Sequence, residues 1–177
     1  MKTLTLILLL TFPLLCTAQE VEWISFVEAV QRNQENPKKF FIDVYTDWCG
    51  WCKKMDANTF THPVIAKMLK ENFHAVKMDA EMKETLVFNG DTMKYLGNVG
   101  RRGTHELALR LMNGRAAYPT VVYLDENLGM IKPDPGYKNA EKLEPLLKFY
   151  GEDIYKEKDW ETFLAEFESG ISSEGAN

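Results

Sequence analysis

The chain has 177 residues, 45% of them hydrophobic and 27% charged, with a formal net charge of −5 at pH 7. That length suits one domain better than two, and the composition is ordinary for a globular protein. No basic stripe stands out, which argues against a nucleic-acid partner; the mild acidity points to solubility and little else.

The N-terminus differs from the rest. Lys2 supplies a short positive start, Leu4 to Leu15 is nearly all apolar, and Cys16-Thr17-Ala18 is a small-residue approach to a cut before Gln19. This is a secretory signal layout, and the apolar run is short for a membrane span. The expected organisation is a signal peptide over 1–18, one domain over 19–170 and a disordered tail over 171–177. The mature protein is then secreted or periplasmic. An uncleaved anchor is the alternative. Lipid attachment at Cys16 is disfavoured, because bulky Leu15 precedes it where lipoprotein signals carry a small residue.

Ser25 followed by Glu28 has capping-box form, with Phe26, Val27 and Val30 lining a helix that ends near Asn36-Pro37. Lys38 to Thr46 holds the mostly apolar run Phe40-Phe41-Ile42-Asp43-Val44-Tyr45, suited to a strand buried on both faces. Two cysteines follow and run into a helix. Thr61-His62-Pro63 opens another, with Val64, Ile65, Met68 and Leu69 on one side, and Phe73 to Met78 is a second strand. Thr85 to Phe88, Asn89-Gly90 and Asp91 to Leu96 form a hairpin, Asn-Gly being the strongest two-residue hairpin signal.

Gly97 to Gly103 reads as a loop, and Leu107, Ala108, Leu111 and Met112 as a helical stripe. Pro119 to Leu124 is a third core strand, turning at Asp125-Glu126-Asn127 into a fourth around Met130-Ile131. Leu143, Leu146, Leu147 and Tyr150 fall at helical spacing, with Pro145 marking a possible true start. Trp160, Phe163, Leu164 and Phe167 make a last amphipathic face. Alternating strands and helices imply an α/β sheet covered on both sides.

Removing Cys16 with the signal leaves Cys49 and Cys52 alone in the mature chain. A bridge between them closes a tiny loop and removes little chain entropy, so stability is a poor reason for the pair and reactivity a better one. At a strand-to-helix junction Cys49 lies beside free backbone N–H groups and the positive end of the helix dipole, which favour a thiolate. Cys52 comes about one turn later, within reach to resolve a mixed disulfide. Zinc lacks ligands, since His62, His74 and His105 are scattered singly. Covalent haem attachment needs His where Lys53 stands. A bare structural disulfide is the bland alternative.

The run Asp43-Val44-Tyr45-Thr46-Asp47-Trp48-Cys49-Gly50-Trp51-Cys52-Lys53 resembles the active-site strand, turn and helix of the thioredoxin superfamily. Tyr118-Pro119-Thr120 similarly resembles its cis-proline loop. With Thr59-Phe60-Thr61-His62-Pro63 and Val76-Lys77-Met78-Asp79, the pattern is most like exported bacterial thioredoxin-fold proteins, over about residues 23 to 150. The resemblance implies a three-layer α/β sandwich with a central mixed sheet, here carrying a hairpin insertion and an extra C-terminal helix. It implies a thiol–disulfide oxidoreductase with Cys49 as nucleophile and Cys52 as resolving thiol.

Asp43 matches the buried acid that takes the resolving proton, and Lys77 a neighbouring lysine; a locally satisfied Asp and a solvated strand-end Lys are the alternatives. Pro119 matches the cis-proline that leaves the backbone at Tyr118 free to pair with a substrate peptide. Trp48, Gly50 and Trp51 would contact that peptide, with core packing the alternative for Trp48. Gly50-Trp51 replaces the Gly-Pro of cytosolic thioredoxins, leaving the direction of electron flow open, although Asp43 and Lys77 favour reduction. His62 and His105 read as helix caps.

The expected partners are proteins with disulfides or thiols and an upstream thiol–disulfide electron donor. No cofactor or metal is expected beyond the Cys49–Cys52 pair, and the chain is expected to be a monomer. A binding or chaperone-like module with a non-catalytic disulfide, and an oxidant or isomerase, are the competing functions.

Overall fold

The computed structural model describes residues 20–99 and 102–171, so the expected signal peptide lies outside the described residues. The first segments follow the expected order: α1 (Phe26–Glu35), β1 (Lys39–Tyr45), α2 (Gly50–Asn58), α3 (Pro63–Asn72) and β2 (Phe73–Asp79). Four short strands come next, β3 (Leu86–Phe88), β4 (Asp91–Met93), β5 (Tyr95–Leu96) and β6 (Thr104–His105), then α4 (Glu106–Leu111). The chain closes with β7 (Thr120–Leu124), β8 (Met130–Pro135), α5 (Ala140–Gly151), a 3-10 turn (Ile154–Lys156) and α6 (Trp160–Glu166). Among the described residues, no helix is long and apolar enough to cross a membrane.

The central sheet has the order β2-β1-β7-β8, with β1 parallel to β2 and antiparallel to β7, and β8 antiparallel to β7. Strand side chains alternate between faces, so β1 feeds two cores. Phe40, Ile42 and Val44 pack with Phe26, Ala29, Leu107 and Leu111 of α1 and α4. Phe41 packs on the other side with Met55, Ile65, Leu69, Leu143 and Phe163, from the layer of α2, α3, α5 and α6. The result is the expected thioredoxin-like sandwich. By the same alternation Asp43 shares the face of Phe41, the face that α2 covers.

Local signals account for most helix starts. The side chains of Ser25, Asn139 and Asp159 accept from backbone N–H groups of α1, α5 and α6. His62 and His105 do the same at the heads of α3 and α4 through their ring nitrogens, as expected of caps. Asn89 (φ 52°) and Gly90 (φ 84°) turn β3 into antiparallel β4, both in the left-handed region that such a hairpin needs.

Several expectations change. Val27 is exposed, and α1 buries Phe26 and Ala29 instead, because the helix rests its i, i+3 edge on the sheet. The second hairpin strand stops at Met93. Tyr95-Leu96 leaves it to pair with Thr104-His105, while Lys94 N–H donates to Glu106 and its carbonyl accepts from Glu106 N–H. Pro145 lies inside α5 and does not start it: Asn139 caps the helix earlier, and burial of Leu143 and Leu147 outweighs the one bond a proline cannot donate. Leu164 is exposed, so α6 packs through Phe163 with Trp160 and Phe167 beside it. At the C-terminus Ser169 and Gly170 donate to the buried Glu144 carboxylate and Ile171 packs on the second core, tying down the first residue of the expected tail; 172–177 lie outside the described residues.

Candidate active site

β1 ends at Tyr45, the chain turns through Thr46-Asp47-Trp48, and Cys49 becomes the N-cap of α2. Cys49 N–H donates to the Thr46 carbonyl at 3.0 Å, closing that turn. The position normally belongs to a side-chain oxygen; here Cys49 Sγ accepts from Cys52 N–H at 3.1 Å. The first turn of α2 has no acidic residue, so its partial positive charge faces the sulfur unopposed within the helix. Cys49 and Cys52 are joined by a disulfide with a Cα–Cα separation of 5.3 Å. Both cysteines are buried, Cys49 at 5% exposure and Cys52 at 1%.

Asp43 stands in register with Lys77 of the neighbouring parallel strand. Its side chain is buried, with Oδ2 accepting from Lys77 Nζ at 2.5 Å and Oδ1 lacking a hydrogen-bond partner among the described residues. Burial pushes the carboxyl up from 3.8 to about 6, against the downward pull of the Lys77 ammonium. Burial alone would lower the Lys77 amine, but the charges of Asp43 and Asp56 outweigh it and leave the amine above its ordinary value. Three rings surround that ammonium, Trp23, Tyr45 and Phe60, with centroids 4.9, 5.0 and 5.2 Å away. Asp56, absent from the sequence reading, also accepts from Lys77 Nζ. Its signal was available: it lies four residues after Cys52, on the same face of α2.

Tyr118-Pro119 is a cis peptide bond. Val44 pairs with Thr120, so this dipeptide comes beside the end of β1 where the cysteine turn begins. The Pro119 carbonyl accepts from Gly136 N–H, whereas Tyr118 makes no backbone-to-backbone bond among the described residues. Its ring meets Trp48 edge-on at 5.9 Å. Both tryptophans face solvent: Trp48 is 51% exposed and Trp51 57%, which removes core packing as an account of Trp48. Trp48 Nε1 donates to Glu81 at 3.0 Å, and the Arg102 guanidinium sits 5.7 Å from its ring. With Val99, Thr104 and Tyr118 these groups line a groove of about 540 Å³. Part of that wall belongs to the segment after the hairpin. Trp51 instead pairs with Tyr137 at 5.3 Å, with Lys54 Nζ 5.0 Å from its ring. Gly50 has open space where a Cβ would lie.

Thus Cys49, Cys52, Trp48 and Tyr118 gather at one end of the sheet, with Pro119 in the adjoining turn and Asp43 and Lys77 within the sheet on the face that α2 covers. His62, His74 and His105 serve helix heads and a backbone carbonyl elsewhere.

A family model described as "Thioredox_DsbH: Protein of unknown function, DUF255" matches residues 11–138. An uncharacterized protein of Caenorhabditis elegans is 36% identical over 62 residues, 34% of this chain and 8% of that protein. The thiol:disulfide interchange protein DsbD of Actinobacillus pleuropneumoniae is 27% identical over 90 residues, 51% of this chain and 12% of that protein. The chain therefore spans about a tenth of the length of the curated relatives it matches. A solved structure of a putative disulphide-isomerase from Bacteroides thetaiotaomicron is 24% identical, covering 80% of this chain and 98% of its own, with a TM-score of 0.55. A DsbH oxidoreductase structure is 16% identical, covering 76% and 87%, with a TM-score of 0.53. At these identities the two structures establish the fold.

Proposed function

The chain belongs to the DsbH/DUF255 family of thioredoxin-like proteins, and from that membership we propose that it is a protein disulfide reductase using Cys49 and Cys52. The observation that carries the reading is a disulfide whose first sulfur caps α2 while a buried carboxyl, one of its oxygens without a hydrogen-bond partner among the described residues, lies on the strand face covered by the same helix.

In the reduced protein the Cys49 thiolate attacks one sulfur of a partner's disulfide. A Cys49–partner bond forms, the partner's own S–S bond breaks, and its other sulfur leaves as a thiolate that takes a proton from water. Asp43 then accepts the Cys52 proton, and the Cys52 thiolate attacks Cys49 Sγ. The second partner sulfur leaves, takes up a proton, and the Cys49–Cys52 disulfide remains. Two electrons have passed from this chain to its partner, and an upstream dithiol donor restores them by the same exchange. A carboxyl near 6 is suited to the proton step at neutral pH.

Tyr118 offers its backbone to an extended substrate segment, cis Pro119 holds that edge open, and Trp48, Gly50 and Trp51 contact the substrate around the sulfur. No cofactor is required. We place the mature domain, 19–170, outside the cytoplasm, on the strength of the signal-like start at 1–18.

The exposed Trp48 and Trp51 rings favour one competing reading, a peptide-binding module that keeps its cysteines oxidised. Insulin reduction driven by dithiothreitol separates the two. A reductase accelerates it, Cys49→Ser abolishes the acceleration, and Cys52→Ser accumulates a Cys49–partner mixed disulfide visible by mass spectrometry. No acceleration by the wild-type protein would leave only the binding module. Titration of the cysteine pair against glutathione distinguishes a reductase from an oxidant or isomerase, whose potential is markedly less negative.

A further inference from the structure

One ammonium serves two carboxylates in this protein. Lys77 Nζ donates to Asp43 Oδ2 from one side and to Asp56 Oδ1 from the other. The two acids are not equivalent: Asp43 is 1% exposed on β1 and Asp56 is 42% exposed on α2. Asp56 is one helical turn beyond Cys52 on the same face of α2, so the helix that presents the resolving sulfur also carries this second acid. The rings of Trp23, Tyr45 and Phe60 hold the lysine head between them and limit its choice of partners.

We propose that Asp56 is a positioning residue for the buried proton acceptor: it takes a share of the Lys77 ammonium and so leaves Asp43 able to receive the Cys52 proton. Without it, a single lysine would pair with a single buried carboxylate, and the pair would hold its ionised form against protonation. With it, the site carries two negative charges against one positive. The solvated acid keeps its charge at little cost, so the surplus falls on the buried one, where ionisation is most expensive. The other groups facing this cluster do not relieve it. Tyr45 follows on β1 and feels Asp79 and Asp47 as further negative charge, the residue opposite Asp43 on β7 is Val121, and Cys52 on α2 is held in the disulfide.

The idea deepens the reductase reading, but its test does not need turnover. In the oxidised full chain neither cysteine titrates, so the side-chain carboxyl carbon of Asp43 can be followed by NMR across pH in wild type, Asp56→Asn and Asp56→Glu. Asp56→Asn should lower the Asp43 midpoint by about one pH unit, the scale expected for removing a like charge a few ångströms away at a partly solvated site. Asp56→Glu should restore most of that shift, since it returns the charge. At pH 7 the resolving step in Asp56→Asn should slow about threefold, as a tenfold weaker base does at a Brønsted slope near one half. An Asp43 midpoint that stays put or rises in Asp56→Asn overturns the proposal, whatever the variant does to stability. Absence of insulin reduction by the wild type would instead overturn the reductase reading and leave the titration result standing.

Discussion

Asp43→Asn should make this protein more stable at neutral pH, and by an amount that depends on pH in a defined direction. The carboxyl is ordinarily near 3.8 and is pushed up to about 6 in the fold, chiefly by burial. A rise of about two pH units corresponds to about 3 kcal/mol. Because the folded chain binds this proton more tightly than the unfolded chain, the group stabilises folding below about pH 4. That stabilisation is lost as pH climbs from about 4 to about 6, and it stays lost above. An amide cannot ionise, so the variant escapes the loss, while its buried N–H group stands where the acid's unpartnered oxygen or proton stood.

The two proteins should therefore be similar near pH 3.5 and differ by up to about 3 kcal/mol at pH 7.5, in favour of the variant. Urea unfolding of the oxidised proteins, followed by tryptophan fluorescence, would show this as a midpoint gap reaching about 1.5 M at a slope of about 2 kcal/mol/M. Lys77 retains Asp56 as a partner, which limits the damage from removing Asp43. A gap that fails to widen with pH, or a wild type more stable at pH 7.5, would show that the Asp43 charge is fully compensated and that it is a poor proton acceptor.

Other perturbations read other parts of the molecule. Trp48→Ala should change stability by about 0.5 kcal/mol or less, since the ring is half-exposed, yet raise KM for an insulin-like substrate severalfold with kcat spared; an unchanged KM removes the groove from substrate binding. Gly103→Ala should destabilise by about 2 kcal/mol or more, because φ is 80° and the added Cβ would press on the Tyr95 hydroxyl and lie 2.7 Å from the Leu96 carbonyl oxygen. Gly90→Ala at φ 84° meets no neighbour and should cost only about 1 kcal/mol, so equal urea midpoints for these two variants would deny the close packing around Tyr95. Phe163→Ala should cost about 3 kcal/mol or more by emptying a buried site among Phe149, Trp160 and Phe167; a loss below about 1 kcal/mol would mean that α6 is peripheral to the fold.

Residues close in sequence announced most of the architecture. The apolar run of β1, the Asn89-Gly90 turn, the Ser25 cap and the Cys49-to-Cys52 spacing are short-range features whose energetics are complete within a few residues, so the chain alone specifies them. Even the burial of Asp43 could be anticipated, because a charge inside an otherwise apolar strand has nowhere else to go when both faces are covered. What the linear order could not supply was competition between partners distant along the chain. Pro145 is tolerated within α5 because packing against the sheet outweighs a local preference, and Tyr95-Leu96 abandons one hairpin for β6 because its groups find better mates there. Trp48 points outward because Glu81, Tyr118 and Arg102 converge on it from three separate segments. The meeting of Asp43, Lys77 and Asp56 is of the same kind: two strands and a helix bring two carboxylates to one ammonium, and while burial is what chiefly makes Asp43 hard to ionise, only the fold decides which charges it faces there.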